Sequence, residues 1–259
     1  IPPLFPCMDS IMRMFVCAAA FGLMTSSANA AEIRVVAPGF VYNSALKDLA
    51  ADFTKETGVN VIVSEDGMNV IVDHIKSAAP AADVIALPAD LMNTLYLDGG
   101  VVPGSYTPLG RDELGLAVRK GAPHPDISTI AKLATALKGA SAVMVNDPKA
   151  GTMQGVIIDG ILKKQEFADV KVMPVSKGEG AGALARGEGE MAIQLVPEIL
   201  NKPQIELVAP LPVELGGHMD AILAVSARST NQKDALAFVK FLTQPHARAA
   251  WQAKGLKPF

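Results

Sequence analysis

Val35-Val36-Ala37-Pro38-Gly39-Phe40-Val41-Tyr42-Asn43-Ser44 is the stretch on which the rest of the chain is read. A β-branched run, Ile33 to Val36, stops at Pro-Gly. Helical spacing takes over at Ala45, with Leu46, Leu49, Ala50 and Phe53 on one face and Lys47, Asp48, Asp52 and Lys55 between them. That order is strand, tight loop, helix N-terminus. The first N–H groups of a helix have no partner inside it and carry partial positive charge, so a small anion can settle there without a charged side chain. The loop is expected to form the first wall of a ligand cleft. The N–H groups of Gly39, Phe40 and Val41 would face the anion, and Phe40 and Tyr42 would narrow or line the pocket.

The same grammar repeats outward. Gly58 closes the first helix, Val59 to Val63 is a strand, and a loop through Ser64 to Met68 precedes a short helix over Asn69 to Ser77. Asp83 to Leu87 is apolar enough for a strand covered on both faces, and Ala89 to Leu97 is helical until Gly99-Gly100. A second run begins after Gly104. Its strands are Leu114–Val118, Ala142–Val145, Val170–Val175, Met191–Leu195 and Ala221–Val225, with helices capped by Ser128 and Thr152. Strands separated by helices of this length imply parallel sheets with right-handed crossovers. The fold class is therefore α/β, with two lobes and a cleft between them. The closing helices, near Asp234–Thr243 and Ala247–Ala253, carry enough apolar surface to need a lobe to cover, and their pattern does not choose which.

At 259 residues, half of them hydrophobic and 19% charged, the chain is long enough for one large core or two modest ones. A net charge of −3 with no basic stripe argues against nucleic acid as a partner. Arg13, the apolar run Met14 to Met24 and Ala28-Asn29-Ala30 read as a secretory signal peptide over residues 1–30, cut before Ala31. Both cysteines, Cys7 and Cys17, fall inside it, so the exported protein is expected to hold no disulfide or thiolate. The product is expected to be a periplasmic monomer.

Four strand-to-helix junctions stand out: Ala37–Ser44, Ser64–Asn69, Asn146–Gln154 and Ser176–Gly182. In open parallel sheets ligands collect beyond the carboxyl ends of the strands, where such loops lie. Any one of these junctions is explained by glycine and serine making turns. Four of them, two per lobe, point to convergence on one anion. No phosphate-loop or dinucleotide signature is present, and His74, His124, His218 and His246 lack metal-ligand spacing, so no cofactor and no metal is expected. Asp147 before Pro148 reads as a turn or cap residue. Arg111 has two readings: a bidentate carboxylate clamp at the hinge, or a surface arginine paired with Asp112 or Glu113.

Several segments carry a family resemblance. They are Ala45 to Ala50 with Phe53 and Glu56-Thr57-Gly58; Pro80-Ala81-Ala82-Asp83-Val84; Asn146-Asp147-Pro148; Ala185-Arg186-Gly187-Glu188 with Glu190; and Ala235 to Leu242. With these the chain resembles the periplasmic molybdate-binding-protein family of ABC-importer receptors over essentially all of Ala31–Phe259. The resemblance implies a two-lobed binding-protein fold of type II. Lobe one would span 31–110 plus 222–259, and lobe two 111–221, with the terminal helices on lobe one. It also implies a small anionic ligand and an ABC permease as partners.

The departures bear on the ligand. That family's serine in the first loop and Gly-Ser-Ser-Gly-like second loop are replaced here by Pro38-Gly39-Phe40-Val41-Tyr42 and Asp66-Gly67-Met68-Asn69. An oxyanion site loses affinity steeply with its donors, so an organic carboxylate is expected rather than molybdate. Ile193 to Leu200 and Glu206 to Leu215 are similar to a divergent branch that includes aconitate isomerase. This makes a proton-shifting enzyme the alternative, with Tyr42, Lys177 and Glu179 as base candidates that also read as ordinary loop residues. The expected ligand-binding set is Gly39, Phe40, Val41, Tyr42, Gly67, Met68, Asn69, Arg111, Thr152, Met153, Gln154, Gly178 and Gln194.

Overall fold

In β1 (Glu32–Ala37) the side chains alternate, with Ile33, Val35 and Ala37 fully buried, as a half-covered strand requires. Pro38 is extended (φ −71°, ψ 161°), and its carbonyl accepts the N–H groups of both Val41 and Tyr42 at 3.0 Å. The coil therefore starts at once as α1 (Gly39–Val41), not at Ala45 as the apolar spacing suggested. A wide turn over Tyr42–Leu46 breaks at Ser44 (φ −86°, ψ −137°) before α2 (Lys47–Thr57). Gly58 ends α2 in the left-handed region (φ 77°). There follow β2 (Asn60–Glu65), α3 (Met68–Lys76), β3 (Val84–Pro88), buried throughout, and α4 (Ala89–Leu97). β1 lies between β2 and β3, parallel to both. These coordinates are a computed structural model that describes residues 31–77, 82–150, 152–175 and 179–259. The expected leader, the loop residues 78–81, Lys177 and Gly178 lie outside the described residues.

β4 (Thr107–Arg119) is 13 residues long, where the sequence predicted only Leu114–Val118. The charges of Arg111, Asp112 and Glu113 concealed its first half. Beyond it come α5 (Ile130–Gly139), β5 (Val143–Asn146), α6 (Met153–Leu162), β6 (Val172–Val175), α7 (Gly180–Ala185), β7 (Met191–Leu195), α8 (Val196–Leu200) and β8 (Ile205–Pro210). The chain closes with β9 (His218–Val225), α9 (Gln232–Phe241), α10 (Pro245–Ala253) and β10 (Lys257–Pro258). Residues 107–113 of β4 pair with β9, and residues 114–119 pair with β7 and β8, so the partners change between Glu113 and Leu114. β4 thus belongs to two half-sheets. The outer pairs of each are parallel, and every pair that includes β4 is antiparallel. The α/β class stands.

The terminal helices cover the first half. Phe238 and Phe241 of α9 meet the Phe53 ring edge-on at 5.0 and 5.3 Å, and the buried Trp251 of α10 donates its Nε1–H to the Leu242 carbonyl at 2.9 Å. One cap differs by a residue from its prediction. Asp126 Oδ1 accepts the Ser128 N–H at 2.9 Å, which moves the cap of α5 on to Thr129, whose hydroxyl accepts from Lys132 N. Thr129→Ala is expected to cost about 1 kcal/mol in chemical denaturation, and Ser128→Ala much less.

Candidate functional site

The halves meet along a seam where α1 and the turn after it lie against α8. Asn201 Nδ2 of the second half donates to Asn43 Oδ1 of the first at 3.0 Å. At the centre stands Glu198. It is 5% exposed, on a helix otherwise made of Val196, Pro197, Ile199 and Leu200. Its Oε2 accepts from Gln154 Nε2 at 3.3 Å and from Gln194 Nε2 in a short hydrogen bond. Gln154 Oε1 in turn accepts from Asn146 Nδ2, and Asn146 Oδ1 accepts the Gly180 N–H at 3.1 Å. Oε1 of Glu198 points the other way, across the seam. A Cβ built on Gly39 would stand 3.0 Å from it and 2.8 Å from Glu65 Oε1. Gly39 needs no left-handed φ. It is bare because carboxyl oxygens from both halves crowd its α-carbon.

The two predicted junctions of the second half are joined in one polar chain, Gln154 in the first turn of α6 to Gly180 at the start of α7 through Asn146, while Gly39 and Glu65, the residue before Asp66-Gly67, face it from the first half. Two glycines let the backbones approach. A Cβ on Gly180 would meet the Met144 carbonyl at 2.8 Å, and one on Gly155 would meet Thr152 Oγ1 at 2.9 Å. Thr152 caps α6 as its position predicted, accepting from Gly155 N at 3.1 Å.

Acid dominates the electrostatics. Burial, and then the nearby Glu179 carboxylate, push Glu198 up to about 8 against the opposing pull of Gln194, Gln154 and Lys202. Glu65 is raised by burial and by Glu179, with Lys47 and Lys202 pulling the other way. Lys202 Nζ is 2.9 Å from Glu179 Oε2, so this lysine is partly neutralised within the seam. Asp112, on β4 at the junction of the halves, is completely buried. Neither of its oxygens has a hydrogen bond among the described residues, and burial followed by Glu198 and Glu113 holds it well above the carboxylate range.

Other expected residues are placed differently. The Phe40 and Val41 side chains lie in the main hydrophobic core, not along a pocket, because α1 begins directly after Pro38 and turns them inward. The Val41 and Tyr42 N–H groups are taken by Pro38, leaving those of Gly39 and Phe40 without that partner. Tyr42 carries the Lys47 ammonium 4.5 Å from its ring centroid. Asp66 Oδ1 accepts its neighbour Gly67's N–H at 3.1 Å. Met68 and Asn69 open α3, one residue earlier than predicted, and Met68 and Met153 pack against the core edge. Gln194 is fully buried, and its Oε1 has no hydrogen bond among the described residues.

Arg111 has its guanidinium engaged by Asp220. Its Nε and Nη2 bind Asp220 Oδ1 and Oδ2 at 2.7 and 2.9 Å, a fork matched by a carboxylate across the β4–β9 ladder, and its paired residue is neither Asp112 nor Glu113. Because the pair is partly exposed, Arg111→Ala is expected to cost no more than about 1 kcal/mol. Ligand-induced stabilisation should persist in the variant; its loss in a thermal-shift assay would restore the clamp.

Sequence reading missed Glu65 and Glu198. The available signal for Glu198 was an acid inside the apolar run Leu195–Leu200. A separate hollow of about 340 Å³ between β1, β2 and α3, lined by Arg34, Ser64, Asp66 and His74, takes Ser64 and Asp66 from the predicted second junction but none of Gly39, Glu65, Gln154, Gln194 or Glu198. No cluster of metal-ligating side chains occurs among the described residues.

Two half-sheets exchanged along one long strand, with a buried polar seam between them, define a binding-protein architecture. The chain belongs to the bacterial extracellular solute-binding protein family, whose model matches residues 33–257. It is 27% identical over 221 residues to an aconitate isomerase from a Pseudomonas species, covering 82% of this chain and 83% of that one. It is 35% identical to the molybdate-binding protein ModA of Azotobacter vinelandii over 97 residues, 37% of each chain. In structure it is similar to the A. vinelandii periplasmic molybdate-binding protein, with a TM-score of 0.68 at 18% identity over 86% of this chain and 98% of that one. It is also similar to Peb3 of Campylobacter jejuni in complex with L-phospholactate, with a TM-score of 0.65 at 18% identity over 87% and 99%. These structural likenesses establish the fold.

Proposed function

We propose that the protein is an exported receptor that closes its two halves as lobes around a small organic acid and delivers it to an ABC permease. The observation that carries this reading is the seam itself. It sets the amides of Gln154, Gln194 and Asn146 in the second half opposite α1 of the first, with the carboxyl of Glu198 among them and that of Glu65 beside Gly39. A bare dianion such as molybdate would meet two acids where it needs donors, and its lost hydration would go unreplaced. An organic acid can put carboxylates on the amides and N–H groups and its carbon skeleton against Met68 and Met153. Contacts to both lobes favour the closed state.

A second reading is an isomerase that shifts a proton and a double bond in a tricarboxylate. Glu198 supports it, because a buried carboxyl that titrates near neutral pH can take a proton from one carbon and return it to another. So does the likeness to aconitate isomerase across most of the chain. Thermal-shift screening against citrate, both aconitate isomers, sulfate, phosphate, molybdate and tungstate tests the receptor. An organic acid at 100 times its dissociation constant should add about 2.7 kcal/mol. Stabilisation by tungstate alone would overturn the reading. Conversion of trans- to cis-aconitate, abolished in Glu198→Gln, would favour the enzyme.

A further inference from the structure

The segment after α10 runs back over β4, the strand the two halves share. Gly255 turns it out of the helix in the left-handed region (φ 92°), and the Leu256 N–H closes that turn on the Trp251 carbonyl at 3.1 Å. β10 then pairs antiparallel with Gly110 and Arg111 of β4, and the Phe259 N–H reaches the Leu109 carbonyl at 3.4 Å. A Cβ on Gly110 would stand 2.5 Å from the Lys257 carbonyl oxygen, so β4 is bare where the segment crosses it. Lys257 Nζ lies 2.5 Å from Oε2 of Glu113, the last residue of β4 before its partners change. The backbone pairing and the fully buried Leu256 fasten the segment to the first half, and the partly exposed ion pair adds little.

The Gly255 corner meets the second half. A Cβ there would stand 2.7 Å from Val196 Cγ1 and 3.1 Å from Leu200 Cδ1, two side chains of α8. A C–C bond spans about 1.5 Å, so the Gly255 α-carbon itself lies within about 4.2 Å of Val196 Cγ1, in van der Waals contact. The first half therefore touches α8 through Gly255 as well as through α1, the turn after it and the Asn43–Asn201 hydrogen bond. A helix end alone calls for glycine at such a φ, as it does at Gly58 (φ 77°). The difference is room: among the described residues nothing lies within 4 Å of a Cβ on Gly58.

We propose that residues 254–259 are a strap that holds the halves shut. Fastened along β4, the strap seats α8 on the bare corner of Gly255, and a side chain at that corner wedges the halves apart. This rests on the reading above that the halves move as lobes, and it is independent of which ligand they close on.

Asparagine tolerates the left-handed region, so Gly58→Asn and Gly255→Asn ask the same of the backbone and differ in what the side chain meets. Small-angle X-ray scattering of the ligand-free proteins, beside denaturation curves that show each is folded, reads the difference. Wild type and Gly58→Asn should scatter as the shut structure, and Gly255→Asn with a larger radius of gyration. Val196→Ala removes the crowding carbon, so adding it to Gly255→Asn should bring the radius back toward wild type. Gly255→Ala against Gly58→Ala repeats the comparison with a smaller wedge. A folded Gly255→Asn that scatters as wild type, an equal change in Gly58→Asn, or no recovery with Val196→Ala would overturn the strap. So would a wild type that is already open, or unfolding of both Gly255 variants while both Gly58 variants fold. In calorimetric titration with trans-aconitate, Gly255→Asn should bind about 5- to 150-fold more weakly than Gly58→Asn, because the wedge acts on the shut state. Equal affinities would overturn the strap's role in capture. No binding by wild type would overturn the organic-acid reading alone, and the scattering would still decide the strap.

Discussion

Gly39→Val is expected to leave the protein folded and, for the organic-acid receptor proposed above, to weaken binding by about 5- to 150-fold. The φ of Gly39 suits any residue, and the atoms a Cβ would strike, Glu65 Oε1 at 2.8 Å and Glu198 Oε1 at 3.0 Å, end flexible side chains. In the open state those side chains can swing aside. In the closed state they are packed between lobes, and overpacking there costs about 1–3 kcal/mol. The cost therefore falls on closure, where each 1.4 kcal/mol is about a tenfold loss of affinity. Calorimetric titration with trans-aconitate beside a denaturation curve checks both halves of the statement. A variant that binds as tightly as wild type would place the ligand elsewhere.

Asp112→Asn is expected to gain on wild type as pH rises. Asp112 is completely buried without a hydrogen bond among the described residues, and burial, then Glu198 and Glu113, raise its pKa well above the usual value. The sign follows from linkage. The folded state keeps the Asp112 proton after the unfolded chain has lost it, so wild-type stability falls as pH climbs from the carboxylate range toward the folded value. Each unit crossed costs about 1.4 kcal/mol, which the asparagine does not incur. Chemical denaturation of both proteins at about pH 5, 6 and 7 should show curves that diverge as pH rises, by no more than about that amount per unit. Curves that stay parallel would mean that Asp112 is ionised in the folded state. The slope decides this, since the asparagine amide brings donors of its own that shift the level.

The architecture was legible because it is written in local signals. β-branched runs, Gly58 at a helix end and the all-apolar third strand each report on their own surroundings. The first half of β4 was not legible, because Arg111 and Asp112 owe their places to residues remote in sequence: Asp220 takes the guanidinium, and the paired half-sheets bury the acid. The site shows the same division. Its junctions could be read from glycines and caps, and hydrogen bonds through Asn146 link the two of the second half. What those loops present to one another could not be read. Phe40 looked like a pocket wall until Pro38 was seen to start the coil at once. Glu198 stands in the first turn of α8, where an acid is favourable beside a helix N-terminus, and its burial follows from the packing of α1 and the turn after it against that helix. Burial and interlobe pairing are tertiary facts, and they decide the chemistry here.

Hydrogen exchange read by mass spectrometry, with and without saturating trans-aconitate, tests the central claim most directly. If the ligand lies in the seam and draws both lobes together, exchange should slow together in peptides from both halves, over residues 38–44 and 67–70 and over residues 152–156 and 194–202. Protection confined to one half, or to residues 60–64 and 71–76 around the separate hollow, would contradict it.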